Sequence, residues 1–483
     1  MWVASKSTDF TRCSPESKHR HWAAKVLKRG QRQRMADSSS SISEKSILEN
    51  LQTDCATPLN VLGNIADSMI AQMKDGLDHG GSDLQMLLSY VNSLRTGQEK
   101  GLFYALDLGG TNFRVLRVQL DGEGNVVVEK NSWEIPEDRR TGTQEGLFGF
   151  IASGLAEFIV EECEKYKIPL DTKREIGFTF SFPTNQTSIN EGTLIEWTKG
   201  FNISDTIGKD VVACLKEAIV VKQLDMFSVT VLINDSVGAL AGARYKDSDV
   251  KVAVILGTGT NACYLDENNV FIKFQIINTE WGAFFDQGVL PLTEFDQHLT
   301  MLDVFNCLKQ IYEKMISGKY LGVLVSKILL KMAESENLFG KYYTAPKDIL
   351  LLLREVACEL CGTGDSSGGL ETVGLILNER LKVETSLDVR RTVVNVIDTI
   401  VKRAARLAGA GIVAILKKME QDTPGLIYEK RTVVAIDGSL YEQYQQYQLY
   451  LKEVVTELLG PFVFIKQFPD ASGVGAALLS GIE

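Results

Sequence analysis

The chain reads as an α/β protein of two lobes, and three observations predict it. Apolar stretches follow one another as strand, strand, strand, helix, strand, helix, strand, helix from residue 103 into the Ala- and Gly-rich segment after Asp235, an order that builds a helix-covered sheet. A glycine-rich turn between two apolar strands occurs twice, as Leu108-Gly109-Gly110-Thr111-Asn112 and as Gly257-Thr258-Gly259-Thr260-Asn261, and duplication of such a device marks two related lobes. Finally, 483 residues of which 45% are hydrophobic suffice for two or more sizeable cores.

Taken in order, 42–94 carries a helical pattern, with Leu59, Leu62, Ile65, Ile70 and Met73 on one face. A strand over 103–106, a tight turn over 107–112 and a returning strand over 113–120 form a hairpin, which 126–134 extends to a meander. A helix over 144–166 leads to a strand over 175–182, where Phe178, Phe180 and Phe182 alternate with Thr179 and Ser181, so the polar pair shares one face until Pro183 ends the strand. The loop 193–200 offers Thr198 and Lys199 beside Trp197, and a helix near 205–221 and a strand over 229–233 lead to Asn234-Asp235. The strand 251–256 enters the second turn, the strand 432–436 meets Asp437-Gly438-Ser439, and Asp470-Ala471-Ser472-Gly473 opens a terminal helix. Gly409-Ala410-Gly411-Ile412-Val413-Ala414 fits a dinucleotide-binding pattern formally, but it lies inside a helical run over 392–419, where small residues serve close helix packing.

Composition narrows the function classes. The net charge is −11, yet residues 1–34 hold nine Lys or Arg against Asp9 and Glu16, so the head carries +7 and the remainder −18. An acidic body argues against nucleic-acid binding. Eight scattered Cys suit reduced thiols, and Cys358 and Cys361, a C-x-x-C without a second pair, read as two helix thiols rather than a metal site. The acid-free stretch from Ser17 to Arg34 is compatible with an organelle transit peptide or a basic surface tail, and Met35 offers a second start. No apolar run is long enough for a secretory signal or a transmembrane segment.

The turns supply chemistry. Adjacent glycines let the backbone approach a bulky anion, successive N–H groups form an anion nest, and Asp107 stands where a carboxylate can hold the hydrated metal ion that accompanies a nucleotide triphosphate. Neither turn is a Walker A loop. Asp235 at a strand end is placed to act as a base on a substrate hydroxyl, although an Asn-Asp pair at a strand-to-helix junction also reads as a simple cap. Lys199 can neutralise a phosphoryl group or hydrogen-bond a polyol, and Glu280 and Glu313 present carboxylates that suit vicinal sugar hydroxyls.

Seven segments in one order, 106–114, 181–183, 197–201, Asn234-Asp235, 256–261, Glu280-Trp281-Gly282 and 313–318, resemble the hexokinase family, and within it the plant-type hexokinases and hexokinase-like proteins. The resemblance spans about 51–479. It implies a two-lobed, actin-like ATPase (ribonuclease H-like) fold, each lobe a mixed five-stranded sheet with helices. A basic and Ser-rich tail would occupy 1–43, a small lobe 102–235 together with the C-terminal helix 471–483, and a large lobe 44–101 and 236–470.

Carried over residue by residue, it implies ATP-dependent phosphorylation of glucose, with fructose and mannose as further acceptors, at the 6-hydroxyl as the first step of glycolysis. Asp235 would be the general base, with Lys199 beside it. Ser181, Thr198, Lys199, Asn234, Asp235, Asn261, Glu280 and Glu313 would bind the hexose. Asp107, Gly109, Gly110, Thr111, Asn112 and Arg114 would serve phosphates and, through water, Mg2+, while Thr258, Gly438, Ser439 and Ser472 would hold ATP. A cytoplasmic enzyme is implied, with a mitochondrion-associated or plastid address, or peripheral attachment to mitochondria through the basic N-terminus, left open. The alternative is a weakly active or inactive hexokinase-like protein acting as a glucose sensor. Four departures motivate that alternative. The loop 262–279 is trimmed, Asn306-Cys307-Leu308 replaces Asn-Pro-Gly, 355–359 departs from a T-x-x-M-S stretch, and Ala471 replaces a glycine, which would be strained by roughly 1 kcal/mol if that position needs positive φ.

Overall fold

The computed structural model describes residues 46–266, 275–297, 309–340 and 368–481. The basic head with Met35, Asn306-Cys307-Leu308, 355–359 with Cys358, Cys361, and the middle of the trimmed loop lie outside the described residues. Leu51–Glu483 is one compact unit.

The first sheet comprises β2 (Lys100–Leu108), β3 (Asn112–Asp121), β4 (Val126–Glu134), β5 (Arg174–Phe180) and β8 (Phe227–Ile233), in the order β4-β3-β2-β5-β8. β2, β3 and β4 form the antiparallel meander, while β5 and β8 add in parallel. Parallel addition needs a crossover, supplied by α1 (Gln144–Tyr166) and α2 (Val211–Val221). Both crossover helices start at side-chain caps, Thr143 accepting from the Gly146 N–H and Asp210 from the Val212 N–H. β5 ends at Phe180, so Ser181 and Phe182 lie just beyond it. A small hairpin of β6 (Thr184–Ser188) and β7 (Glu191–Leu194) follows, which the sequence pattern does not announce.

The second sheet runs β1-β11-β10-β9-β12-β13, built from β1 (Leu87–Leu88), β9 (Val250–Leu256), β10 (Thr260–Asp266), β11 (Gln275–Asn278), β12 (Thr432–Asp437) and β13 (Val463–Gln467). It therefore has six strands rather than five, because the segment expected to be helical to residue 94 stops early. Its second helix, Leu59–Asp78, ends before Gly80 and Gly81, both at positive φ, and the extended chain beyond adds β1 to the sheet edge. Leu62, Ile65, Ile70 and Met73 are buried on that helix, but Leu59 is 45% exposed because it opens the first turn. Without β1, the two sheets share one plan, an antiparallel meander followed by two parallel strands.

The last parallel strand of each sheet feeds a helix, β8 into α3 (Asp235–Lys246) and β13 into α6 (Ala471–Leu479). These helices cross at glycines. A Cβ on Gly475 would lie 1.8 Å from the Gly238 carbonyl oxygen, and one on Gly242 2.4 Å from that of Ala471. Helix α6 also packs on β2, β3 and β5. The strain expected at Ala471 is absent. Positive φ falls on Asp470, at 55°, and Ala471 is the first helical residue, where alanine is at ease. Finally, α4 (Leu387–Asp422) runs beneath the second sheet towards α5 (Gln445–Leu459). A Cβ at Gly409 would meet Val454 at 2.2 Å and one at Gly411 would meet Trp281 at 2.8 Å, so these glycines pack helices and no nucleotide.

Candidate active site

The site is assembled where strands end. Asn234 caps α3 through its Oδ1, which accepts from the Ser236 N–H and hydroxyl, both at 3.0 Å. Capping and chemistry coexist here: the cap holds the turn so that Asp235 begins the helix with one carboxylate oxygen on the Ser236 N–H at 2.9 Å and the other 3.2 Å from the Lys199 ammonium. Lys199 also donates to the Ser181 carbonyl at 2.7 Å. Its loop is fastened by aromatic packing, with Trp197 stacked on Phe201, both against Phe182 just beyond β5, and Trp197 also against Phe180 at the end of β5.

A row of buried amides continues from that cap. Asn261 Nδ2 donates to Asn234 Oδ1 at 3.0 Å, Asn278 Oδ1 at 2.8 Å and Glu280 Oε1 at 3.2 Å, and Asn278 Nδ2 reaches the same Glu280 oxygen at 2.9 Å. Glu280, at φ 52°, is set by the Trp281 indole, which donates to the Thr260 hydroxyl at 3.0 Å. Glu313 Oε2 accepts from the Thr260 N–H at 3.0 Å, tying its helix to the second turn. The two glycine turns themselves meet, with the Thr111 and Thr258 hydroxyls 3.4 Å apart.

Two cavities result. A narrow one is lined by Ser181, Thr198, Lys199, Asn234, Asn261, Glu280 and Glu313, all expected to hold sugar, together with Gln310, at φ 55°. A larger one, of about 480 Å³, is lined by all ten residues expected to serve phosphates, metal or nucleotide: Asp107, Gly109, Gly110, Thr111, Asn112, Arg114, Thr258, Gly438, Ser439 and Ser472. Ser181 and Lys199 line both, and Asp235 lines the larger one next to Asn234 in the smaller. A hydroxyl that projects from the narrow cavity therefore meets a carboxylate and an ammonium at the junction.

Sequence reasoning missed Asn278, Gln310, Asp437, Lys130 and Asp470. Two signals were available: Asn278 ends a strand two residues before Glu280, and Gln310 stands three residues before Glu313, just ahead of its helix. Asp437 lines the large cavity and accepts from the Ser472 N–H at 3.1 Å.

Charge is concentrated and poorly solvated here. Burial raises the Glu280 carboxyl to about 7 and the Glu313 carboxyl above its ordinary range. Burial likewise raises Asp107 to about 6, against the pull of Arg114 at 3.1 Å, and Asp437 to about 7. Burial works against the Lys199 charge, but Asp235 and Glu313 override it and hold the ammonium above its usual range. Among the described residues no group of three or more His, Cys, Asp or Glu is placed to hold a metal directly. Asp107, paired with Arg114, and Asp437, whose carboxylate accepts from the Ser472 N–H, line one cavity, and two such carboxylates are compatible with a hydrated Mg2+ brought in on a triphosphate. Among the described residues no helix is long and apolar enough to cross a membrane.

A glycine-lined cavity of about 480 Å³ adjoining a narrow one of buried amides and carboxylates, with a carboxylate at the junction, is the arrangement expected of a phosphotransferase acting on an alcohol. The chain matches two family models described as hexokinase, over residues 47–245 and 251–482. It is 52% identical to "Hexokinase-4, chloroplastic" of Oryza sativa subsp. japonica, covering 90% of this chain and 88% of the rice protein, and 50% identical to "Hexokinase-like 1 protein" of Arabidopsis thaliana, covering 92% of each. A solved hexokinase from Schistosoma mansoni complexed with glucose superposes with a TM-score of 0.79 at 32% identity, covering 91% of this chain and 99% of that one. The chain belongs to the hexokinase family. Its activity is ATP-dependent phosphorylation of hexoses.

Proposed function

We propose that Asp235 is the general base and that glucose is an acceptor, with fructose and mannose handled by the same pocket. Glucose is favoured because a solved relative is described as complexed with it. Asp235 Oδ2 takes the proton of the 6-hydroxyl, the hydroxyl oxygen bonds to the γ-phosphorus, the bond from that phosphorus to the bridging oxygen breaks, and ADP leaves. Lys199 stabilises charge at the junction, and the amide row with Glu280 and Glu313 orients the sugar. Glycines 109 and 110, with Thr111, Asn112, Thr258, Gly438, Ser439 and Ser472, cradle the nucleotide, and Mg2+ would neutralise its phosphates beside Asp107. The touching threonines of the two turns support exclusion of water, the competing nucleophile.

The observation that carries this reading is the junction itself, where Ser181 and Lys199 line both cavities and Asp235 faces the ammonium. The two sheets also support an actin-like, ribonuclease H-like division, with 102–235 and α6 as the small lobe and 44–101 with 236–470 as the large one. A coupled assay with glucose and Mg-ATP tests the reading: Asp235→Ala should lower kcat at least about a hundredfold, the scale of a lost general base. Glucose-dependent stabilisation of the wild type without turnover would instead support a sensor. The acid-free stretch up to Arg34 and the chloroplastic name of the rice relative support an organelle address. A fluorescent fusion of residues 1–45 that stays diffuse in the cytosol would remove that address.

A further inference from the structure

The large cavity holds a cation that the nucleotide reading does not use. Lys130 lines it from β4, and its ammonium donates to both carboxylate oxygens of Asp470, at 2.8 Å and 2.6 Å. Asp470 lines the same cavity from the residue immediately before α6, with its backbone at φ 55°. The pair is therefore a bridge from the meander of the first sheet to the strand-to-helix turn that follows β13.

Three observations give the bridge a role. The cavity wall carries Asp107, Asp235, Asp437, Asp470 and Glu442 against only Arg114, Lys130 and Lys199, a poor lining for a polyphosphate unless its cations can be released towards it. Arg114, itself 36% exposed, is held by Asp107, and Lys199 by Asp235 and the Ser181 carbonyl, and in both pairs the carboxylate is at most 10% exposed and cannot take up water in exchange for its cation. Lys130 is different. Its side chain is 46% exposed and that of Asp470 30%, so their ion pair is a partly hydrated one that opens at little cost.

We infer that Lys130 is a further phosphate-binding residue of the nucleotide site, which Asp470 holds between turnovers and yields when a triphosphate enters. This rests on the nucleotide reading of the large cavity. Charge accounts for the exchange: the ammonium trades one carboxylate for a group of higher charge density, and Asp470, left in the partly open wall, takes up water. Asp470 thereby competes with nucleotide for the lysine, so the two residues should act in opposite directions.

The experiment is steady-state kinetics on the full chain with glucose and Mg-ATP, with inorganic tripolyphosphate as a competing probe. Lys130→Gln should raise the KM for ATP about tenfold and weaken tripolyphosphate inhibition in proportion, while the KM for glucose stays within about twofold. Asp470→Asn, which keeps a residue at ease in the left-handed region, should leave the KM for ATP at or below the wild-type value, and the double variant should follow Lys130→Gln. Lys130→Arg, which keeps the charge, should restore affinity.

Overturning results are a KM for ATP within about twofold of wild type in Lys130→Gln, or a rise in Asp470→Asn that matches it, which would mark a purely structural pair. Arg114→Gln and Thr258→Val separate this from failure of the nucleotide reading. If both leave the KM for ATP unmoved the cavity is not the nucleotide site, and if they raise it while Lys130→Gln does not, only Lys130 is excluded.

Discussion

The two sheet units of this enzyme use one plan and spend it differently. In each, a meander turns through a Gly-rich hairpin, two parallel strands follow, and the second of these feeds a helix whose start carries an aspartate bound to a lysine. In the first unit that pair is Asp235 with Lys199, each side chain only 10% exposed, and in the second it is Asp470 with Lys130, several-fold more open. Burial separates their chemistry. A mostly buried carboxylate beside a mostly buried ammonium is suited to acting on a substrate proton, whereas a hydrated pair is suited to exchanging partners. On the proposed reading the same fold element would supply a base in one half and a replaceable counter-ion in the other.

The helices that begin at these aspartates meet at their glycines, and that crossing is where the comparison can be broken most severely. A Cβ on Gly475 would lie 1.8 Å from the backbone oxygen of Gly238, and backbone cannot swing aside as a side chain would. Alanine gains helix propensity of about 1 kcal/mol, but overpacking against backbone costs about 3 kcal/mol or more, so the loss wins. Gly475→Ala should lower Tm by roughly 2 °C or more. A Tm equal to wild type in a thermal melt would mean that the two helices are not locked together at this point.

A smaller effect separates the hairpins. None of Gly109, Gly110, Gly257 and Gly259 has positive φ, so these turns use glycine for room and not for backbone freedom. The room differs. A Cβ on Gly259 would lie 2.7 Å from the Glu313 carboxylate, whereas one on Gly110 would meet only the flexible Lys199 stem at 3.2 Å. Gly259→Ala should therefore raise the KM for glucose about tenfold, while Gly110→Ala should change it less than about threefold, as read from glucose titrations at saturating ATP. Equal effects would mean that Glu313 is not held against the second turn.

These particulars show what could be read in advance. The repeated turn, the meander, the helix 144–166 and the Asn-Asp junction depend on contacts close in sequence, where periodicity and turn chemistry speak directly. Apart from the small hairpin of β6 and β7, much of what was missed depends on contacts far apart. Lys130 and Asp470 are 340 residues apart, and nothing local in either segment signals the partner. Strand β1 has only two residues, too few for a period, and exists because β11 offers it an edge. Whether Ala471 is strained turned on a backbone angle that a lost glycine leaves open, and the left-handed position belongs to Asp470.

Acidity gives the subtlest test, because the two cavities contribute carboxylates of the same kind. Glu280 from the narrow cavity and Asp437 from the large one are both raised to about 7 by burial, and Asp107 to about 6. In the unfolded chain these groups lose their protons near pH 4, so between there and about pH 7 the native state holds protons that the unfolded state has released. Stability of the ligand-free enzyme from these groups must then fall as pH rises through that window, and level off above it. Asp247, held low chiefly by Arg431, works oppositely, but its contribution is already complete above the ordinary carboxylate range and does not cancel the slope. Glu280→Gln, which keeps the shape and removes the titration, should flatten the decline in Tm between about pH 5 and 7 by a few degrees at most. If the melting profiles of Glu280→Gln and wild type run parallel across that window, the sugar-side carboxylate is charged before sugar arrives, and burial does not control it as it does Asp437.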